Sequence, residues 1–485
     1  MERMTAVLER EEARRERGVF PWPLIGLAGV ALLLTAPGPQ ALQAALVVAM
    51  AVLLLMGTQR PVWGAAAVLV LELTMGNYML PVAGGALSLR LIVTALAFAL
   101  VLVHLIRRDS LPAGLLLPLA AAFVAVCAIS AYLNTDLMQA FKALRFLLYG
   151  LMAMTAVALS VQDREDLRQL LLAGLTTAAL SALAGILQHY SGTLGAPYPT
   201  TILSPGGGSP AQEWGGRSLG LAENPLHLSD DMLLALFVLI GVFVSVRVGL
   251  GQRWALALLG AALLLGLYFS YTRSSPLAAA AGLLVLLAYR GPYRRDVWLG
   301  ALLLALVMVY VTDVRGNRYT VTEDASVEAR PILWQASFWM ALDHPYLGVG
   351  PGQFVELAPS YANAVDQELL RREAQRSSQS VLGVYTPHND YLNVWVTYGL
   401  PAVALYVGLL GLAAYRLFGT YRRARDGLVA GAALGLLGAL LSYVVNSAFH
   451  NFFDSALTFW LLLGAAVAMG DLVWREEARD AAGER

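Results

Sequence analysis

Apolar runs separated by short polar links fill most of this chain. They fall at about 20–36, 41–57, 61–76, 88–106, 113–133, 143–160 and 166–188, then at 231–249, 254–271, 276–290 and 297–312, and finally at 389–417, 427–448 and 453–474. A membrane span takes about 20 apolar residues, and several runs are shorter, so the pattern predicts an all-α, polytopic transmembrane protein of about 12–14 helices. Two polar stretches are too long to be links, 189–230 and 313–387. The expected organisation is a cytoplasmic tail at 1–19, membrane helices over 20–312, a large loop at 313–387, membrane helices over 388–474 and a second cytoplasmic tail at 475–485.

The two long stretches have internal pattern. In the first, Ser204-Pro205-Gly206-Gly207-Gly208-Ser209-Pro210 reads as turns and precedes Trp214-Gly215-Gly216-Arg217-Ser218. In the second, Ile332, Trp334, Phe338, Trp339 and Leu342 make Pro331 to Leu342 an amphipathic helix suited to a membrane interface. A turn series follows from Asp343 to Gly352, and the charged stretch Gln367 to Arg376 reads as a solvated helix or lid. The large loop ends in Thr386-Pro387-His388-Asn389-Asp390-Tyr391, where an apolar run resumes.

Composition agrees. The chain is 58% hydrophobic and 14% charged, against about 25% charged in soluble domains. The one cysteine, Cys127, excludes an intrachain disulfide or a cysteine metal cluster. A net charge of zero singles out no partner, and no nucleic-acid partner is expected. The N-terminus has no signal-peptide pattern.

Charge orients the helices. With the N-terminus inside, the short inner links hold Arg60, Arg107-Arg108, Arg164, Arg168, Arg247, Arg253, Arg290, Arg294-Arg295, Arg416 and Arg422-Arg423-Arg425. The outer links Gly76-Asn77-Tyr78 and Leu133-Asn134-Thr135-Asp136 hold no Lys or Arg, as the positive-inside rule requires. Both long stretches then lie outside.

Some cations break the rule. Arg273 sits between two helices with almost no linker. Arg217 is in the first outer loop, Lys142 and Arg145 are at the outer end of the sixth run, and Arg330 starts the amphipathic stretch. A charge at bilayer depth costs about 2.5–3.5 kcal/mol on insertion scales unless it is paired or solvated. Snorkelling to the interface is the competing account for Arg273, Lys142 and Arg145. For Arg217 it is an ordinary loop side chain, and for Arg330 a salt bridge at a helix start. Arg90 reads as structural. Acidic partners are sparse on this side, so an external anion is the natural counter-charge, and guanidinium groups hold phosphate oxygens bidentately.

Histidine is the side chain suited to take a proton near neutral pH. Of the six, His104 and His189 lie at helix ends, His227 follows Asn224-Pro225, His344 is in a turn, and His450 is in the last outer link beside Asn451. His388 stands out, between Pro387 and Asn389 at the first turn of a helix leaving the large loop. Helix capping or a structural hydrogen bond is its competing role. No Walker loop, H-E-x-x-H or C-x-x-C is present, and Gly348-Val349-Gly350-Pro351-Gly352 is not a dinucleotide fingerprint, since no strand precedes it. Apart from Glu72, carboxylates inside the apolar runs are few, which disfavours a proton-coupled transporter.

Arg330-Pro331-Ile332-Leu333-Trp334, His344-Pro345-Tyr346-Leu347-Gly348-Val349-Gly350-Pro351-Gly352-Gln353-Phe354, His388-Asn389-Asp390-Tyr391-Leu392 and Tyr398-Gly399-Leu400 resemble, in that order, the O-antigen ligase and O-antigen polymerase family. Upstream, Gly216-Arg217-Ser218-Leu219-Gly220-Leu221-Ala222-Glu223-Asn224-Pro225 and Ser270-Tyr271-Thr272-Arg273-Ser274 fit as well. The resemblance covers about residues 200–400. Two positions depart from it: Thr397 stands where many members have an acid nine positions after the histidine, and Leu226-His227 where an Asn is common.

The resemblance implies an inverting, metal-independent membrane glycosyltransferase without cofactor, at the outer face of the bacterial cytoplasmic membrane, serving lipopolysaccharide or other polysaccharide biosynthesis. The donor would be a glycan on undecaprenyl pyrophosphate. The acceptor would be a hydroxyl on lipid A–core, a carrier-linked glycan or a protein. His388 becomes the base, Arg217 and Arg273 the pyrophosphate clamps, with Lys142, Arg145, Arg330 and Asn389 as further substrate contacts. A carrier-lipid flippase is the competing class, and it predicts cations across the membrane depth rather than at one face.

Overall fold

The computed structural model describes residues 22–35, 39–75, 78–82, 85–106, 114–191, 217–291, 294–316, 324–363, 366–367, 386–453 and 455–481. The turn-rich stretch 204–210, most of 367–376 and the first tail lie outside them. The chain is an all-α, multi-pass membrane protein. Its helices are α1 (Trp22–Thr35), α2 (Pro39–Gly57), α3 (Val62–Met75), α4 (Leu89–Ile106), α5 (Leu116–Asn134), α6 (Leu137–Ser160), α7 (Arg164–Ser191), α8 (Pro225–Ser245), α9 (Leu250–Phe269), α10 (Ser274–Leu283), α11 (Arg294–Gly316), α12 (Asp324–Asp343), α13 (Phe354–Leu357), α14 (Asp390–Tyr398), α15 (Leu400–Arg423), α16 (Gly427–Asn446) and α17 (Thr458–Ala481). Nine are long and apolar enough to cross a membrane among the described residues, with three shorter apolar helices beside them.

Several boundaries differ from the hydropathy pattern, three of them for a clear local reason. The run 389–417 is two helices, α14 and α15, because Gly399 takes φ +86 and Pro401 sits in the first turn of α15. A side chain at Gly399 would meet the Tyr346 carbonyl oxygen. α6 starts at Leu137 rather than 143, since Asp136 caps it by accepting from Gln139 N. α8 starts at Pro225 rather than 231: Asn224 accepts from the amides of Leu226 and His227, and Pro225 needs no donor there. Asp230 and Asp231 are therefore buried in a membrane helix. Before α4, β1 (Met79–Val82) and β2 (Gly85–Ser88) pair antiparallel, a hairpin too short to register in hydropathy.

Glycines bring three helices close together. A side chain at Gly431 would meet the Gly241 carbonyl at 2.7 Å, and one at Gly435 the Phe237 carbonyl at 2.5 Å, so α16 and α8 pack backbone against backbone. Gly282 of α10 faces Phe237 and Gly438 in the same way. The ends of α8, α10 and α16 that this packing brings together carry Asp230, Ser274 and Asn446.

The last link, between α16 and α17, is fastened by a buried ion pair. Arg90 and Glu72 lie 3.4 Å apart, Arg90 donates to the Ser455 carbonyl at 3.0 Å, and Leu457 N donates to Glu72. Arg90 is structural, as the sequence suggested.

The large loop seals the C-terminal end of α14. Val349 N donates to Val396 O at 2.8 Å, Gly350 N to Thr397 O at 3.0 Å, and Leu400 N to Pro345 O at 2.7 Å. The glycine cluster is thus a cap for α14, and Gly348 and Gly350 both take positive φ to reach it. α12 begins at Asp324, before the amphipathic stretch expected from Pro331. It packs on α14 through Leu333, Ala336, Met340 and Ala341, and exposes Phe338, Trp339 and Leu342.

Candidate active site

Three separate segments converge at the end of the bundle that the charge pattern puts outside. The first precedes α8. Arg217 Nε donates to Ser270 O at 2.9 Å, its terminal nitrogen to Thr272 Oγ1 at 3.2 Å, and Ser218 N to Phe269 O at 3.0 Å. Thr272 in turn donates to the Pro225 carbonyl at 3.2 Å. This arrangement holds Arg217 next to the Tyr271-Thr272-Arg273 corner between α9 and α10.

The second segment is α12, with Arg330. Burial lowers the pKa of its guanidinium from the ordinary value, and the charges of Arg273 and Arg217 lower it further. Arg330 Nε is buried with no hydrogen-bond partner among the described residues. Three guanidinium groups held this close repel one another, an arrangement that an anion would relieve.

The third segment is His388-Asn389. Trp334 Nε1 of α12 donates to Pro387 O at 2.9 Å. Asn389 caps α14 by accepting from Leu392 N at 3.1 Å. Asp390 is fully buried: its amide donates to Ser447 O at 2.8 Å and its carboxylate accepts from Phe453 N at 3.1 Å. The loop carrying His388 is thereby tied to the link between α16 and α17. Burial, then the charge of Arg330, pushes the pKa of the His388 imidazole down to about 4. It is neutral at physiological pH, the form that can accept a proton.

His388 (φ +51) and Tyr271 (φ +50) are the two non-glycine residues with left-handed backbone among those described. Such residues cluster where surrounding contacts over-determine a functional geometry. Here each flanks a cationic motif.

Lys142 and Arg145 are exposed on α6. Arg145 lies over the Tyr149 ring at 6.0 Å. Thr397 carries no charge, and its hydroxyl donates to Asn393 Oδ1 at 3.4 Å. His104 bonds the Leu100 carbonyl, His189 stacks on Phe269, and His344 is exposed in its turn.

One residue at this site gave little signal in sequence. His450 is buried in the link after α16, and burial followed by Arg330, His388, Arg217 and His227 depresses its pKa well below the ordinary value. The available clue was its place in the last outer link, beside Asn451.

The O-antigen ligase family model matches residues 258–407. That span contains Arg273, Arg330, His388 and Asn389; Arg217 and His450 lie beyond it. No curated protein matches the chain. Four chains of solved structures do. One, from work titled "Structural coordination of polymerization and crosslinking by a peptidoglycan synthase complex", is 18% identical, covers 75% of this chain and 98% of its own, and has a TM-score of 0.40. Through residues 258–407 and the motifs they contain, this multi-pass membrane protein is similar to the O-antigen ligase family.

Proposed function

We propose that the protein transfers a glycan from undecaprenyl pyrophosphate to an acceptor hydroxyl at the outer face of the cytoplasmic membrane. The observation that carries this is the convergence of Arg217, Arg273 and Arg330 beside a neutral His388. Arg217, Arg273 and Arg330 bind the pyrophosphate. His388 takes the proton of the acceptor hydroxyl as that oxygen bonds to the anomeric carbon. The bond from this carbon to the phosphate oxygen breaks on the opposite face, so the configuration inverts. The electron pair leaves with the pyrophosphate, whose charge rises. Guanidinium groups already in place stabilise that rise more than they stabilise the ground state, which is the requirement for catalysis.

The same steps serve a ligase acting on lipid A–core and a polymerase acting on a second carrier-linked glycan. The test supplies the purified protein with undecaprenyl-pyrophosphate oligosaccharide and each acceptor in turn, in liposomes. Product on one of them is the expected result and names the acceptor. Movement of the carrier lipid between leaflets with no sugar transferred would overturn the proposal in favour of a flippase.

A further inference from the structure

His450 is 3% exposed, and its ring is held by a chain of side chains from three helices. Asn446 Nδ2 donates to Asp230 Oδ1 at 2.9 Å, Ser274 Oγ donates to Asn446 Oδ1 at 2.5 Å, and His450 Nε2 lies 2.6 Å from Ser274 Oγ. The donor directions follow from chemistry. A carboxylate oxygen accepts, which orients the amide so that its own oxygen faces Ser274. Ser274 has one hydrogen, already given to that oxygen, so toward the ring it can only accept. Nε2 therefore carries the proton, and Nδ1 presents a bare lone pair.

Nδ1 is buried and has no hydrogen-bond partner among the described residues. Buried acceptors are nearly always satisfied, and the exceptions call for a donor or a function. The surroundings narrow the choice of donor. The charges of Arg330 and Arg217 both act on this ring, so a cation is repelled. A phosphate oxygen has no hydrogen to give. A neutral O–H donor remains. Asp390, bonded to Ser447 and Phe453, links the His388 loop to the segment bearing His450.

We propose that His450 Nδ1 receives a hydroxyl of the acceptor saccharide and so positions the nucleophile beside His388. This rests on the glycosyltransferase function proposed above. Asp230, Asn446 and Ser274 are positioning residues that set the tautomer. The amide of Asn446 orients the chain and passes no proton, so His388 keeps the role of base.

Two substitutions separate contact with the acceptor from a structural role. His450→Gln keeps an amide where Nε2 meets Ser274 and deletes the acceptor at Nδ1. His450→Asn puts an amide oxygen near the Nδ1 position and gives up Ser274. Kinetics would use the purified full-length protein with undecaprenyl-pyrophosphate oligosaccharide as donor, and lipid A–core and a second carrier-linked glycan as acceptors. The expected result is an acceptor KM raised about tenfold or more in His450→Gln, less in His450→Asn, with the donor KM unchanged in both. An unchanged acceptor KM in His450→Gln overturns the proposal and leaves a structural histidine. So does a donor KM that rises as much as the acceptor KM. If His450→Gln fails to insert, Ser274→Ala removes the group that fixes the tautomer. It should then raise the acceptor KM without moving the donor KM, and no change in either also overturns the proposal. Wild-type protein that makes no product from either acceptor is a different outcome: it defeats the glycosyltransferase function and this inference with it.

Discussion

Trp334 Nε1 donates to the carbonyl oxygen of Pro387 at 2.9 Å, fastening the helix that bears Arg330 to the residue before His388. Arg330 and Trp334 are four residues apart and so share one face of α12. In the proposed mechanism this single hydrogen bond couples the charge that binds the leaving group to the base that prepares the nucleophile. Trp334→Phe keeps the ring and leaves the Pro387 carbonyl unpaired, at a cost of about 1 kcal/mol. Turnover should fall about fivefold with the protein still inserted, as read by transfer kinetics. An unchanged kcat would show that α12 holds its place without this bond.

His388→Ala should reduce transfer by about 10²–10⁴-fold, the usual worth of a general base, while membrane yield stays at the wild-type level. The pH profile carries independent information. With its pKa pushed down to about 4, His388 is deprotonated throughout the neutral range. Activity that needs the neutral ring is full above that value and is lost as pH falls through it. The acid limb of kcat/KM should therefore lie near 4, well below the ordinary histidine value of about 6.5. A limb at the ordinary value would place a solvated histidine in the role instead.

Arg273→Lys keeps the charge and loses the planar fork. Bidentate contact with pyrophosphate is what the lysine cannot reproduce, so kcat should drop about 10²-fold. Wild-type turnover in this variant would reassign Arg273 to the membrane interface.

Guanidinium groups supply the positive charge in the proposed mechanism. Dialysis against EDTA should therefore leave transfer unchanged, measured as initial rate with and without added divalent cation. Restoration of a lost rate by one particular cation would contradict that mechanism.

Gly399→Ala tests the break between α14 and α15. The left-handed backbone there costs a non-glycine residue about 1–3 kcal/mol, and the new methyl group would meet the Tyr346 carbonyl. A lower Tm and a lower membrane yield are expected. An unchanged Tm would mean that the turn series at 345–350 can move away at little cost.

Much of the architecture was legible because a membrane allows few solutions. Every span must satisfy its own backbone and be apolar for most of its length, so run length suffices to read off most of the helices. What hydropathy missed were places where polar groups sit inside helices. Asp230 truncated the predicted α8, and Lys142 truncated α6. Asn224 and Asp136, whose side chains cap the true starts, are ordinary polar residues to a hydropathy scan.

The same division runs through the site. The sequence by itself determined that arginines outside the positive-inside pattern gather in a few segments and that His388 closes the large loop, since charge and local motif are properties of short segments. Only the tertiary structure decided that Arg330 belongs with Arg217 and Arg273, and that His450 joins His388. Those relations depend on backbones brought into contact at Gly431 and Gly435, and on hydrogen bonds such as Asn446 to Asp230, which joins residues 216 positions apart. No local pattern encodes a distance between two helices, so the second histidine emerges only once the bundle is packed.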